Sequence, residues 1–266
     1  MADVIAFISI KGGVGKTMVA LETASSLANH FGKRVLLVDA NFSAPNIGIY
    51  LDLAPDYTLH DSLGGVPLHN AIYESHGFDV IPASMYYKGE VDINNLNKLL
   101  SKFRNRYDYI ILDSSPNYEE MKPVIAAAKR IFVVTSPDHV TLETSLKSAL
   151  LARQHKTPIE GIIVNKIRSP KHEFNIQEIE EIYEIPVIAK IRDSKNVVVA
   201  MHEKKPLTVH SPNDHVSKEI HRFSSALCGE SEFQNNLLKK MLLNISREKI
   251  NRDIYRQKLY ESQISC

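Results

Sequence analysis

VIAFISIKGGVGKTMVALETASSLANHF, residues 4–31, joins three patterns whose combination decides the fold. VIAFIS (4–9) is a short, apolar, β-branched run of the kind that makes a buried strand. Residues 17–31 place Leu21, Ala24, Leu27, Ala28 and Phe31 at helical spacing, which predicts a helix. Between them lie Gly12, Gly13 and Gly15. Glycine admits backbone angles closed to other residues and close approach of a ligand, so successive N–H groups can cradle phosphate oxygens. The start of the helix adds the positive end of its dipole. Lys16 is placed to reach β- and γ-phosphates, and the Thr17 hydroxyl to bind Mg²⁺. The loop departs from the strict pattern G-x-x-x-x-G-K-[ST] at its first glycine, where Ile10 stands, followed by a second lysine, Lys11.

Working outward, RVLLVD (34–39), FDVIPA (78–83), DYIILD (108–113), RIFVVT (130–135), GIIVN (161–165) and PVIAKI (186–191) predict further strands, with helical patterns between most of them. Continuous apolar strands separated by helices belong to a mostly parallel sheet covered on both faces. The expected fold is a doubly wound α/β domain over residues 1–230. Asp39 and Asp113 close two of these strands. Open parallel sheets bind ligands at the carboxyl ends of their strands. Both aspartates are therefore expected to hold Mg²⁺ and its waters, Asp113 as the Walker B residue.

Composition narrows the alternatives. The formal charge of +1 supplies no global field toward nucleic acid or an anionic surface. Two cysteines, Cys228 and Cys266, suit a reducing compartment and leave no disulfide framework or paired thiolates for zinc or an iron–sulfur cluster. His172-Glu173 and His202-Glu203 each lack the second histidine of H-E-x-x-H, and Ser114 and Ser115 lie outside any G-x-S-x-G. No secretory leader is visible, and no apolar run nears the roughly 20 residues that span a bilayer. The expected location is the cytoplasm.

KGGVGKT resembles the deviant Walker A motif of the MinD/ParA family of P-loop ATPases, relatives of the nitrogenase iron protein and the arsenical pump ATPase. In that family the extra lysine crosses to the partner subunit of an ATP-bound dimer, and Lys11 matches it. Its logic is that of an arginine finger, a cation supplied across an interface to the transferred phosphoryl group. VLLVDANFSAPNIGIYLDL (35–53) resembles the family's switch I and LDSSP (112–116) its switch II. VNKIR carries Asn165 where relatives read the adenine edge, and residues 186–212 resemble the last segment, whose first part packs near the base. DANFSAPN, LHDSL, NAIYE and IPAS look most like archaeal MinD-like ATPases.

The resemblance covers residues 3–230 and implies nucleotide contacts from Lys11, Gly12, Gly13, Val14, Gly15, Lys16, Thr17, Met18 and Asn165, with Mg²⁺ at Thr17, Asp39 and Asp113. Many relatives carry D-x-D after the second strand, the second Asp positioning the attacking water; here the triplet is Asp39-Ala40-Asn41. Asn41 keeps an acceptor oxygen without the charge, and Lys11, Lys16 and Asn41 form the expected catalytic set. The implied activity is slow ATP hydrolysis by an ATP-dependent homodimer acting as a spatial regulator of division, polar or motility machinery, or DNA partitioning, with a protein partner that stimulates it. A non-hydrolysing ATP-gated scaffold and a cofactor- or metal-maturation ATPase are the alternatives, the second disfavoured by the missing cysteine pairs.

Residues 231–266 form a separate C-terminal tail expected to be helical. Residues 231–262 hold no glycine or proline, and Phe233, Leu237, Leu238, Met241, Leu242 and Ile245 share one helical face. A basic amphipathic helix of this kind, 233–259, can dock on its own domain or a second subunit, or lie on the inner face of a membrane as a peripheral anchor. DNA is the weaker partner, because acids are interspersed and no helix-turn-helix is evident.

Overall fold

The computed structural model describes residues 1–87, 89–168 and 172–230. The expected tail helix 233–259 lies outside the described residues. Within them the chain runs β1 (Asp3–Ile8), α1 (Lys16–Asn29), β2 (Val35–Ala40), α2 (Ile47–Tyr50), α3 (Leu59–Leu63), β3 (Tyr73–Ser75), β4 (Phe78–Ile81), α4 (Leu96–Ser101), β5 (Tyr109–Ser114) and α5 (Tyr118–Ala127). It continues through β6 (Arg130–Thr135), α6 (His139–Gln154), β7 (Ile159–Ile167), α7 (Ile176–Tyr183), β8 (Val187–Arg192), α8 (Lys195–His202), α9 (Leu207–His210) and α10 (His215–Cys228).

The eight described strands form one sheet in the order β3-β4-β2-β5-β1-β6-β7-β8, parallel except for β3 against β4. β1, β2, β5 and β6 are apolar almost throughout because both faces are covered. Ala6, Leu36, Ile110 and Val133 enter one core with α3 to α7, and Phe7, Leu37, Ile111 and Phe132 enter a second with α1, α9 and α10. A strand buried on both sides has no polar face to alternate with, hence the unbroken hydrophobic runs.

Two expectations need correction. The first helix stops at Asn29 rather than reaching residue 31, because Gly32 turns the chain through a φ of +63°. The strand β3 was not expected: three residues of mixed polarity carry no period of their own, and β4 supplies the ladder that makes them a strand. At that edge Tyr73 Oη accepts from the Tyr57 N–H (3.0 Å). At the opposite edge the Lys190 N–H of β8 donates to Glu219 Oε1 of α10 (2.9 Å).

Candidate functional site

The loop between β1 and α1 is pinned at its start by α6. The Ile10 N–H donates to Ser148 Oγ (2.8 Å), and Ser9 Oγ lies 3.1 Å from Ser145 Oγ. Ile10 packs, partly buried, against the α6-side core and keeps an ordinary φ, whereas Gly13 and Gly15 sit at +81° and +94°. Position 10 of this loop needs no glycine, which explains its departure from the strict motif. Position 15 needs one for its φ, and a Cβ there would displace the Asn165 amide that lies over it.

Lys16 opens α1 and is buried, with Nζ 3.5 Å from the Lys11 carbonyl oxygen. Burial lowers its pKa and the charge of Asp113 opposes that shift. Asp39 and Asp113 stand opposite each other in the β2–β5 ladder, both wholly buried. They are not equivalent. Asp39 Oδ1 accepts from the Asn41 N–H (3.2 Å), and its Oδ2 from the N–H groups of Asn46 and Ile47 (3.0 Å each). It thereby anchors the segment leading into α2. No backbone N–H among the described residues reaches either oxygen of Asp113.

Burial pushes both carboxyl pKa values up. For Asp39 the charge of Asp113 adds to the rise and the backbone N–H groups resist it. For Asp113 the Thr17 hydroxyl and the Lys16 ammonium pull the other way. A fully buried carboxylate met only by a threonine hydroxyl and a lysine charge is a hard oxygen donor with open valence, and this donor set fits Mg²⁺. Asn41 is also buried; its Nδ2 donates to the Ala44 carbonyl, while Oδ1 has no partner among the described residues.

A cavity of about 490 Å³ opens over the loop, a size that suits a small-molecule ligand. Of the residues expected at the site, Gly12, Gly13, Gly15, Lys16, Thr17, Met18, Asn41 and Asn165 line it; Lys11, Val14, Asp39 and Asp113 do not. Asn165 closes over the loop, its Nδ2 donating to the Val14 carbonyl (2.8 Å). The end of β8 and the helix α8, through Arg192, Asp193, Ser194, Val197, Val198 and Met201, form another wall.

Other lining residues escaped the sequence reading. Tyr50 lies close enough to the aspartates that their charges, after burial, raise its pKa. Arg168 donates from Nε to Asp193 Oδ2 (2.6 Å), and Lys166 reaches the Gly13 carbonyl oxygen (2.7 Å). The only sequence signal for Lys166 and Arg168 was their place beside Asn165 at the carboxyl end of a strand.

Comparison with known proteins follows the same lines. The ParA family model, described as NUBPL iron-transfer P-loop NTPase, matches residues 1–228. The uncharacterized ATP-binding protein MJ0547 of Methanocaldococcus jannaschii is 30% identical over 253 residues, covering 93% of this chain and 95% of the relative. The structure of septum site-determining protein MinD from Pyrococcus horikoshii, complexed with Mg-ADP, superposes with a TM-score of 0.79 at 20% identity, over 92% of this chain and 100% of that one. MinD of the Aquifex aeolicus MinC:MinD cell division complex gives 0.77 at 27% identity, over 86% and 97%. The chain belongs to the ParA/MinD family of P-loop NTPases.

Proposed function

We propose that this protein binds ATP with Mg²⁺, dimerises in that state, and hydrolyses ATP slowly as a spatial regulator of cellular machinery. The observation that carries the reading is Asp113: buried, reached by no backbone N–H, in register with Asp39 and met only by the Thr17 hydroxyl and the Lys16 charge. Thr17 and Asp113 would hold the ion, with Asp39 ordering the segment beside it. The ion would neutralise the charge developing on the phosphates. The glycine loop and Lys16 would hold the triphosphate. The P. horikoshii relative bound to Mg-ADP supports this choice of ligand.

Lys11 would serve the partner subunit. Its side chain lies outside the lining of its own cavity, as a cation acting in trans requires, and the Ile10–Ser148 bond holds its backbone in place. The buried, unpartnered Asn41 Oδ1 would orient the attacking water, because phosphoryl transfer depends chiefly on positioning. A carboxamide in place of a carboxylate also favours a second reading, an ATP-gated scaffold that scarcely hydrolyses. Iron transfer is not carried over from the family model, since Cys228 and Cys266 offer no paired thiolates. MinC in the A. aeolicus complex supports a protein partner here, and the cytoplasm or the inner membrane face remains the proposed location.

Single-turnover phosphate release and light scattering with ATP, on wild type and Lys11→Ala, test the proposal. The expected result is an ATP-dependent dimer and slow release in the wild type, both lost in the variant. An ATP-dependent dimer surviving in Lys11→Ala with normal turnover would overturn the shared site. A wild type that dimerises yet releases no phosphate over hours would establish the scaffold.

A further inference from the structure

Lys166 combines an uncommon backbone with a long-range contact. Its φ is +57°, in the left-handed region that side chains other than glycine seldom occupy. It sits where the β7–β8 ladder shifts register between Val164 and Ile167. From there its side chain crosses to a loop 153 residues away, and Nζ donates to the Gly13 carbonyl at 2.7 Å. The preceding residue, Asn165, donates from Nδ2 to the Val14 carbonyl at 2.8 Å. Two consecutive side chains thus hold two consecutive carbonyls of the phosphate loop.

The consequence follows from peptide geometry. A trans peptide points its C=O and its N–H in opposite directions. Drawing the Gly13 and Val14 carbonyls toward β7 turns the N–H groups of Val14 and Gly15 away from β7 and into the cradle. The φ values of +81° at Gly13 and +94° at Gly15 permit that orientation. A charged donor makes the stronger hydrogen bond to a carbonyl, which suits an ammonium to this task better than a neutral amide.

We infer that Lys166 is a positioning residue which, with Asn165, clamps the phosphate loop in its anion-binding form. This rests on the nucleotide reading above and adds to it: Lys166 at the end of β7 governs the affinity for the triphosphate itself, independently of the base that Asn165 is expected to read.

Titration calorimetry on the full chain with Mg²⁺ separates the two roles, using ATP and inorganic tripolyphosphate, which has no base. Lys166→Met keeps the length and stem of the side chain without the donor; Lys166→Arg keeps a donor. The expected result is that Lys166→Met weakens ATP and tripolyphosphate alike by about tenfold, as loss of one charge-assisted hydrogen bond implies. Lys166→Arg should recover most of the affinity, and the ligand-free melting midpoint should stay near wild type in both. If Lys166→Met does not fold, Lys166→Gln takes its place with the same expectation. Unchanged tripolyphosphate affinity in the variant would overturn the clamp, whether or not ATP binding falls. So would Lys166→Arg binding as weakly as Lys166→Met. A wild type that binds neither probe would instead overturn the nucleotide reading.

Discussion

Asp113 shows how much one side chain can reveal and how much it costs. Burial disfavours the charged form of a carboxyl group, so an ionised Asp113 costs the ligand-free fold stability. Its pKa is raised in the folded protein, so its contribution to stability is fullest below the ordinary carboxylate range and is lost as pH rises through the raised value. Without Mg²⁺, Asp113→Asn removes the buried charge and should therefore melt higher than wild type above about pH 6, with the gap closing as pH falls. Calorimetry across pH would measure it, and Mg²⁺ with ATP should stabilise the wild type far more than the variant. An unchanged midpoint at every pH would show that the carboxylate is not an isolated charge. The place of Asp113 at the buried end of a strand was legible in the sequence because an acid ending an apolar strand follows a local rule. That it would share a site with Asp39 was also expected, but their direct register was not, because nothing local states that β2 and β5 are neighbours. Lys166 was missed for the same reason: its partner carbonyl lies on another element.

At the scale of elements, α1 does more than begin the phosphate site. Glu22, wholly buried on it, accepts from the N–H groups of Leu207 (2.7 Å) and Thr208 (2.9 Å) and from Thr208 Oγ1 (2.9 Å). These are the donors at the start of α9, whose N-cap position holds Pro206 and supplies no side-chain cap. A glutamate on one helix thus caps another and ties the segment after α8 to the phosphate-loop helix. Glu22→Ala would orphan those donors and should lower stability by roughly 1–3 kcal/mol. Urea unfolding would read that loss, and ATP titration an accompanying loss of affinity, since α8 walls the cavity. The strands were legible because burial on both faces imposes a continuous apolar run. Glu22 was not, since an acid inside a helical pattern ordinarily reads as its solvent face.

For the whole molecule, the family assignment and the parallel sheet were legible from a few motifs, and the fate of residues 231–266 was not. An amphipathic stripe requires that one face be covered but does not name the cover. Liposome co-sedimentation with ATP and with ADP, on the full chain and on a chain ending at Glu230, decides between occupants. Pelleting that needs both ATP and the tail would establish a membrane-cycling regulator. No pelleting in any condition would assign the stripe to a protein surface. Among the described residues no helix is long and apolar enough to cross a membrane.

The two margins of the sheet bear on how such a molecule can gather. One margin is the three-residue β3, its Tyr73 hydroxyl bonded to Tyr57; at the other, the Lys190 N–H is already taken by Glu219. Among the described residues one margin is short and the other partly occupied, which makes each a poor template for a neighbouring copy. Growth by adding strand to strand, which has no natural end, is thereby discouraged. The ATP-dependent dimer proposed above would instead meet face to face, through side chains and bound ligand, in a contact that closes on itself. Assemblies made that way have a definite number of members and can be dissolved by changing what sits between them.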